Sequence, residues 1–357
     1  MNQQRLARVL RNMERDGLEQ IVVTSTASVY YLTGYWVEPM ERMLALYLRA
    51  DGTCTLFANT LFALEPQEGL ELVLHQDSDE PTAALAAALR PGRLGVDKAW
   101  PSKFLIALLN ARPDVTPVLG SAPVDDARKY KDADEIAAMR HASRINDQVV
   151  EQVIAAVKEG AVERELAAYV ESLYRQHGAD RSSEGQLVCF GPNGADPHHG
   201  PNDTVIKDGD SVVLDIFIPI RRYWCDMTRT VFFRSVSDEG RRVYETVRAA
   251  NLAAEAMIRP GVPMKDIDRA ARQVIEDAGY GPCFTHRLGH GCGLDCHEPP
   301  DNSASSPAIA EPGMVFSVEP GIYLPGKLGV RIEDLVLVTE DGCEVLNHAS
   351  KELRVVE

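Results

Sequence analysis

The stretch DSVVLDIFIPIRRYWCDMTRTVFF, residues 210–233, contains two apolar, β-branched runs that predict the two strands of a hairpin. Each run carries one acid, Asp215 in the first and Asp226 in the second, although aspartate is depleted from strands because burying its charge is costly. A turn centred between Ile220 and Arg221 would place Asp215 directly opposite Asp226, with Cβ atoms roughly 5 Å apart. Two like charges so placed repel, so we expect either that one is protonated or that a cation lies between them.

A second acidic pair lies in VEPGIYLPGKLGVRIED, residues 318–334. With the loop PGKLG as the turn of another hairpin, Glu319 falls opposite Glu333 or within two residues of it. Four carboxylates on two hairpins therefore predict one dense anionic centre. Together with an imidazole, such oxygen ligands suit two divalent ions, Mn, Co or Zn, about 3.5–4 Å apart. Four solvated acids at strand ends are the alternative.

The segment HRLGHGCGLDCHEPP, residues 286–300, is rich in histidine, cysteine and glycine. A structural zinc site would need a second pair of ligands besides Cys292 and Cys296, and no such pair with suitable spacing occurs elsewhere. The glycines do not have the spacing of a phosphate-binding loop, and no HExxH motif is present. The segment is therefore more typical of a loop that contributes histidines to a catalytic centre, and the structural zinc site and the phosphate loop remain as alternatives.

Composition limits the classes of function. The chain has 357 residues, of which 45% are hydrophobic, and a net charge of −16, so its surface should repel nucleic acid and anionic lipid. No run of eighteen apolar residues occurs, and the amphipathic first segment lacks the apolar core of a signal peptide. Seven cysteines, an odd number, suit reduced thiols. We expect a cytoplasmic protein without nucleic-acid or membrane partners.

Two styles of sequence predict two domains, residues 1–126 and residues 127–357. The first alternates helical and strand patterns and has a hairpin motif at Asp51-Gly52, which predicts a small α/β domain. The charged stretch at residues 121–136 is the candidate boundary, and Asp132 or Asp134 could cap the long helix that follows.

A weak internal repeat lies in the second domain. Residues 158–178 resemble residues 259–279, and the glycines at both ends of the two segments are offset by 101 positions. If the repeat is real, two similar halves each contribute strands after a helix pair, and a shared site lies between them. The alternative is that any two helix-turn-helix units look this similar.

Asp215 and Asp226, followed by GHGCGLDCHE, VEPGIY and RIED, together resemble the metallopeptidases of the pita-bread fold. That family includes prolidase (Xaa-Pro dipeptidase), aminopeptidase P and methionine aminopeptidase, and the resemblance covers about residues 134–350. It implies an α+β fold in which a C-terminal pita-bread (creatinase/aminopeptidase) domain has an internal pseudo-twofold repeat. The residues before it resemble the smaller α/β creatinase-like N-terminal domain of prolidases and aminopeptidases P.

The resemblance also implies a ligand set for two divalent metal ions, with Mn as the first choice and Co or Zn as alternatives. The implied ligands are Asp215, Asp226, His290, Glu319 and Glu333, of which Asp226 and Glu333 would bridge the ions. In this family a hydroxide held between the metals attacks the scissile carbonyl. Glu319 would additionally act as the proton shuttle.

Further residues match positions that line the site in this family. His297, and His198 in GPNGADPHHGP, would contact the substrate or the tetrahedral intermediate, although a surface-loop histidine is the alternative for His198 and our interpretation of His199. His286 would support the loop from behind the ligands. Arg331 would pair with ligand carboxylates, with a solvated strand-end arginine as the alternative.

The sequence departs from the family pattern at the expected anchor for the substrate carboxylate. Prolidases often carry an arginine shortly after the HE-x-P turn, where this chain has Asp301. Arg221 or Arg222 could serve instead, or could form an exposed basic turn. The cysteines are interpreted as small buried residues.

We therefore expect an exopeptidase that acts on small peptides with proline at the second position, most simply a Xaa-Pro dipeptidase and, by resemblance, a homodimer. Aminopeptidase P, acting on longer Xaa-Pro peptides, is the second candidate. A non-catalytic pita-bread binding module is the third, although such modules typically lose ligands that are all present here.

Overall fold

The computed structural model describes residues 1–180 and 185–357, and the chain divides into two compact units, Met1–Arg128 and Lys129–Glu357. Within the described ranges, no helix combines the length and the apolar character needed to cross a bilayer.

The first unit is built on a six-stranded mixed sheet with the strand order β4-β3-β2-β1-β5-β6. Its strands are β1 (Gln20–Val23), β2 (Ala45–Arg49), β3 (Cys54–Asn59), β4 (Glu71–His75), β5 (Gly92–Val96) and β6 (Val115–Leu119). Its helices are α1 (Gln3–Arg15), α2 (Thr26–Thr33), α3 (Pro81–Ala88), α4 (Ser102–Ala111) and α5 (Ala122–Arg128). The predicted hairpin at Asp51-Gly52 is confirmed, since β2 and β3 pair antiparallel and Gly52 adopts φ +86° in the turn.

The second unit begins with a long helix whose start is fixed by its own side chains. Of the two candidate caps, Asp132 is the one used: its carboxylate accepts from the Glu135 amide, and the Glu135 carboxylate accepts from the Asp132 amide, as in a capping box. The helices of this unit are α6 (Ala133–Ala156), α7 (Glu163–Gln176), α8 (Asp238–Met257) and α9 (Met264–Asp277).

The strands of the second unit form two main sheets within the described residues, β17-β9-β8-β7 and β11-β10-β12-β15-β16, and a two-stranded pair, β13-β14. Their bounds are β7 (Leu187–Phe190), β8 (Ser211–Ile220), β9 (Tyr223–Phe233), β10 (Gly289–Gly291), β11 (Glu298–Asn302), β12 (Val315–Val318), β13 (Gly321–Leu324), β14 (Leu328–Arg331), β15 (Asp334–Val338), β16 (Cys343–Val345) and β17 (Val355–Val356).

The internal repeat is visible in the fold. Each half has a helix pair, α6–α7 or α8–α9, followed by strands, and each packs its helices on a separate apolar core. The turn between the helices contains a left-handed glycine in both halves, Gly160 and Gly261. Two residues after this glycine, each half makes an isolated antiparallel bridge, at Val162 in one half and at Pro263 in the other. The equivalent positions are again 101 apart, so the pseudo-twofold organisation of this domain is confirmed.

The hairpin of β8 and β9 has a different register from the one predicted. Ile220 pairs with Tyr223, so the turn is centred between Arg221 and Arg222, both of which adopt positive φ, 54° and 72°. Two consecutive left-handed residues form the type I′ turn, whose twist matches that of the flanking strands. The prediction that Asp215 lies directly opposite its partner acid is therefore wrong.

The corrected register still leaves both aspartates on one face. Asp215 pairs with Thr228 and Asp226 pairs with Phe217, so the acids are diagonal neighbours. Because side chains alternate between the two faces of a sheet, a shift of two residues preserves the face where a shift of one would reverse it. The two carboxylates therefore still lie together.

The second acidic pair, Glu319 and Glu333, lies between two antiparallel ladders. Val318 pairs with Asp334 in β12 and β15, and Gly321 pairs with Arg331 in β13 and β14. Both ladders have the same register, which places Glu319 opposite Glu333 in the gap between them. The Glu333 amide donates to the Thr228 carbonyl at 3.0 Å, which ties this gap to β9.

Candidate active site

A cavity of about 640 Å³ lies in the second unit, and its walls come from both halves. The structure brings every predicted site residue to this cavity. The predicted residues that line it are Asp215, Asp226, His290, Glu319, Glu333, His198, His297, His286 and Arg331.

Three buried residues, one in β9, one in β10 and one in the gap between β14 and β15, offer a compact set of donor atoms. One atom each from Asp226, His290 and Glu333 lies within 4.8 Å of the other two. His290 Nε2 is 3.7 Å from Asp226 Oδ2 and 3.5 Å from Glu319 Oε1. His290 Nδ1 lies 3.1 Å from the Gly291 carbonyl, which can only accept, so Nδ1 carries the proton. The lone pair of Nε2 therefore faces the carboxylates, as metal-binding histidines require.

The carboxylates in this cluster share an environment that disfavours their charge. Burial raises the pKa of Asp226 and of Glu333 well above their ordinary values, and the neighbouring acids raise them further. Burial also raises the pKa of Glu319. The buried Oδ1 atom of Asp215 has no hydrogen-bond partner in the described part of the chain. An unsatisfied buried oxygen beside crowded acids fits a divalent cation with oxygen and imidazole ligands.

Arg331 neutralises one edge of the cluster. Its Nη2 atom lies 2.6 Å from Asp215 Oδ2, its Nη1 atom donates to the Tyr323 hydroxyl at 2.9 Å, and its Nε atom donates to Thr228 Oγ1 at 3.1 Å. The side chain is 5% exposed, so it is not a solvated strand-end arginine. The bonds to Tyr323 and Thr228 hold the guanidinium in place, and its bond to Asp215 orients that carboxylate.

His286 acts on the cluster through Tyr323 and not directly. Its Nε2 atom is 2.8 Å from the Tyr323 hydroxyl, and its Nδ1 atom is 2.7 Å from the Arg287 carbonyl. Since that carbonyl must accept, Nδ1 is protonated and Nε2 accepts from Tyr323, whose oxygen accepts from Arg331. Burial lowers the pKa of His286, which favours this neutral form. A chain of hydrogen bonds thus runs from His286 to Asp215.

Two further histidines border the open part of the cavity. The His297 ring lies 3.8 Å from the His290 ring, between centroids, and burial lowers the pKa of His297 to about 4. His297 is therefore neutral at pH 7, with one ring nitrogen able to donate and the other able to accept. His198 is exposed at the cavity wall, and its amide donates to Asp196 Oδ1 at 3.0 Å.

His199 is not the surface-loop histidine that the sequence interpretation assumed. It is half-buried, and its Nε2 atom lies 3.2 Å from the fully buried Glu163 carboxylate. Glu163 also accepts from the amides of Phe190 and Asn202. This acid thus holds both ends of the loop that carries His198.

The glycines around His290 have a steric role. Gly289 and Gly291 lie in β10 between β11 and β12. A Cβ atom on Gly289 would overlap the Ser317 carbonyl, and one on Gly291 would overlap the Glu298 carbonyl. Glycine therefore lets the strand that carries His290 approach both neighbours, which is a packing role and not phosphate binding.

Sequence reasoning missed several residues that contact the predicted ligands. Cys296 Sγ lies 3.3 Å from Asp226 Oδ2, so this cysteine borders the cavity, whereas Cys292 is buried as expected. Thr228 Oγ1 donates to Glu333 Oε2 at 2.8 Å. The periodicity could have found Thr228, since residues 226 and 228 share a face of one strand, whereas no local pattern marks Tyr323.

Comparison with known proteins identifies both parts of the chain. Residues 137–340 match the model of Metallopeptidase family M24, and residues 5–130 match the Creatinase/Prolidase N-terminal domain. An uncharacterized peptidase of Staphylococcus aureus strain MSSA476 is 35% identical over 357 residues, covering 97% of this chain and 99% of that protein.

Solved structures show the same likeness over the whole chain. A prolidase from Thermococcus sibiricus superposes with a TM-score of 0.94 at 36% identity, covering 100% of this chain and 99% of the other. A dipeptidase from Pyrococcus horikoshii OT3 gives a TM-score of 0.93 at 33% identity, covering 99% and 100%. Membership of a metallopeptidase family implies divalent-metal binding, for which Asp226, His290 and Glu333 offer the donor atoms described above. The chain belongs to metallopeptidase family M24 and is a peptidase with a creatinase/prolidase-type N-terminal domain.

Proposed function

We propose that this peptidase is a Xaa-Pro dipeptidase that works with two divalent metal ions, manganese by first choice and cobalt or zinc otherwise. The observation that carries the proposal is the single cavity in which four acids and His290 meet, in a chain that matches a prolidase over its full length. Residues 127–357 are the catalytic domain in this proposal. Asp215, Asp226, His290, Glu319 and Glu333 would hold the ions.

Bound divalent ions at such a site activate water and polarise the scissile carbonyl. The chain itself supplies proton transfer and positioning. Ser317 donates to Glu319 Oε1 at 3.1 Å, which leaves Oε2 to take a proton and pass it to the leaving amine.

The open side of the cavity would bind the peptide. Neutral His297 can donate to the substrate carbonyl, and His198 would contact the peptide from the loop that Glu163 holds. Leu187 and Phe217 give the same cavity apolar walls against which a proline ring can pack.

Two further parts of the proposal concern the whole protein. All seven cysteines are free thiols, which supports a reducing compartment, and we therefore place the enzyme in the cytoplasm. We also propose a homodimer, on family resemblance, and measurement of the mass in solution tests it.

A substrate panel tests the activity. Protein stripped of metal by a chelator and reloaded with Mn, Co or Zn is assayed on Ala-Pro, Ala-Pro-Ala and Ala-Ala. We expect metal-dependent cleavage of Ala-Pro, weaker cleavage of Ala-Pro-Ala and little of Ala-Ala. Asp301, in place of the arginine often found there, favours aminopeptidase P as the second candidate, and cleavage of Ala-Pro-Ala alone would establish it. No gain in activity with any metal would instead indicate a binding module.

A further inference from the structure

The cavity is lined by two guanidinium groups among its described residues, and they differ in what they already bind. Arg331 is buried and bonded to Asp215, Tyr323 and Thr228. Arg287 also lines the cavity, but its side chain is 41% exposed. In the described part of the chain its hydrogen-bonding partner is Asp301, through the single nitrogen Nη1 at 2.6 Å. The Nε and Nη2 groups of Arg287 therefore have donors to spare.

Asp301 holds this arginine in place. It pairs with His290 across β10 and β11, which fixes its backbone beside the metal-binding segment. Its second carboxylate oxygen accepts from the Ser303 hydroxyl. With one oxygen on Ser303 and the other on Arg287 Nη1, the carboxylate is oriented from both sides. A guanidinium restrained at one nitrogen keeps its plane while its other edge stays open.

The rest of the cavity is strongly anionic, because Asp215, Asp226, Glu319 and Glu333 all border it. The second residue of a dipeptide ends in a free carboxylate, which these acids would repel unless a cation faced it. Arginine suits this task, because its planar fork matches a carboxylate with two parallel hydrogen bonds.

We infer that Arg287, positioned by Asp301, binds the free carboxylate of the dipeptide substrate. The inference rests on the proposed Xaa-Pro dipeptidase activity and adds the residue that restricts it to dipeptides. Many prolidases carry an arginine where this chain has Asp301. Here Arg287, on the segment that leads into β10, supplies the positive charge, and Asp301 is its carboxylate partner. Arg221 and Arg222 form the β8–β9 turn and are not among the described residues that line the cavity.

The test compares an acid with its amide. Metal-loaded wild type and Arg287→Gln are assayed on Ala-Pro and on Ala-prolinamide, which lacks the terminal charge. We expect the variant to raise KM for Ala-Pro roughly 10- to 100-fold with little change in kcat, since one charge-assisted contact is lost. KM for the amide should stay nearly constant.

Two more variants separate positioning from charge. Arg287→Lys keeps the charge without the fork and should recover part of the affinity for Ala-Pro. Asp301→Asn leaves Arg287 charged but less restrained, so its effect on KM should be smaller than that of Arg287→Gln and again confined to the acid. Arg269→Gln, an exposed arginine on α9, is the matched control and should leave both substrates unaffected.

The outcomes separate this inference from the proposed function. Suppose that wild type cleaves Ala-Pro but Arg287→Gln raises KM equally for Ala-Pro and for Ala-prolinamide, or raises it for neither. The role assigned to Arg287 is then wrong, and the dipeptidase activity stands. If wild type cleaves neither substrate with any metal, the proposed function fails and the inference fails with it.

Discussion

Glu333 and Asp334 are consecutive residues, both buried, and their carboxylates behave in opposite ways. Burial raises the pKa of Glu333 well above its ordinary value, and the charge of Asp226 raises it further. Burial would also raise the pKa of Asp334, but Arg229 and Lys351 together hold it below the ordinary value. Asp334 lies 2.6 Å from Arg229 Nη2 and 2.8 Å from Lys351 Nζ.

The sites of Glu333 and Asp334 differ in where the positive charge beside the carboxylate comes from. Asp334 meets positive charges that belong to the chain, so its site is complete on folding and holds the structure together. Glu333 belongs to the cavity cluster, which we define as Asp215, Asp226, Glu319 and Glu333. Arg331 contacts this cluster through Asp215. Buried acids in that number need more positive charge than one arginine supplies. The comparison therefore marks the cavity cluster as the place for an external cation and the Asp334 site as structural.

Removing an acid from the cavity cluster should have the largest effect. Glu333→Gln keeps the volume but removes the charge, and we expect kcat/KM to fall by at least about 10⁴-fold, equivalent to about 5.5 kcal/mol. The metal-free variant should be no less stable than wild type, because repulsion is relieved. Steady-state kinetics and metal analysis measure both effects. Glu340→Gln, at an exposed position of the same segment, is the control, and a loss below tenfold would contradict the assignment.

Substitution at the Asp334 site should lower the stability of the fold. Asp334→Asn leaves the buried Arg229 without its carboxylate and leaves Lys351 with that of Glu255 alone, and we expect the free energy of unfolding to fall by about 3 to 5 kcal/mol. Urea unfolding measures this loss, with exposed Asp341→Asn as the control. A loss below about 1 kcal/mol would mean that the Asp334 site is not structural.

Metal should stabilise the two variants differently. At 100 times its dissociation constant, Mn should raise the free energy of unfolding of the wild type by about 2.7 kcal/mol. The raised pKa of Asp226 and of Glu333 means that protons must leave before metal binds, so the increase should be larger at pH 8 than at pH 5. Asp334→Asn should retain the increase and Glu333→Gln should lose most of it. Equal stabilisation of both variants would place the metal elsewhere.

The smallest expected effect concerns Glu255, which borders the Asp334 site through Lys351 Nζ at 2.6 Å. Burial, with the charge of Asp334, raises the pKa of Glu255 to about 7. A raised pKa gives stability that is present below the unfolded pKa, near 4.5, and is lost as pH rises through about 7. Relative to wild type, metal-free Glu255→Gln should therefore gain about 2.5 kcal/mol in free energy of unfolding between pH 5 and pH 8. Urea unfolding at both values measures it, and a change of opposite sign would contradict the assigned shift.

The sequence was sufficient for the parts of the site that depend on alternation along a strand. Acids inside apolar runs marked Asp215 and Asp226, and the face they share survived an error of register because that error was an even number of residues. The register itself was missed because Arg221-Arg222 is not one of the glycine-containing pairs that mark a type I′ turn.

Contacts between distant segments could not be predicted in the same way. Asp334 follows a predicted ligand and was not distinguished from it, since its partner Arg229 is 105 residues away in sequence. Arg229 itself offered a clue, because an arginine inside the apolar run MTRTVFF must find a buried acid. Arg287 was missed because residue 301 was read as a missing cation and not as half of an ion pair.

The bond between Arg331 and Asp215 joins residues 116 positions apart, and it has a consequence for the order of folding. Closing so long a loop costs chain entropy that only the completed domain repays, so the five candidate donors cannot be assembled by an early local structure. Metal capture should then follow formation of the domain during refolding. An ion added at the start would slow unfolding of the finished protein without hastening its formation.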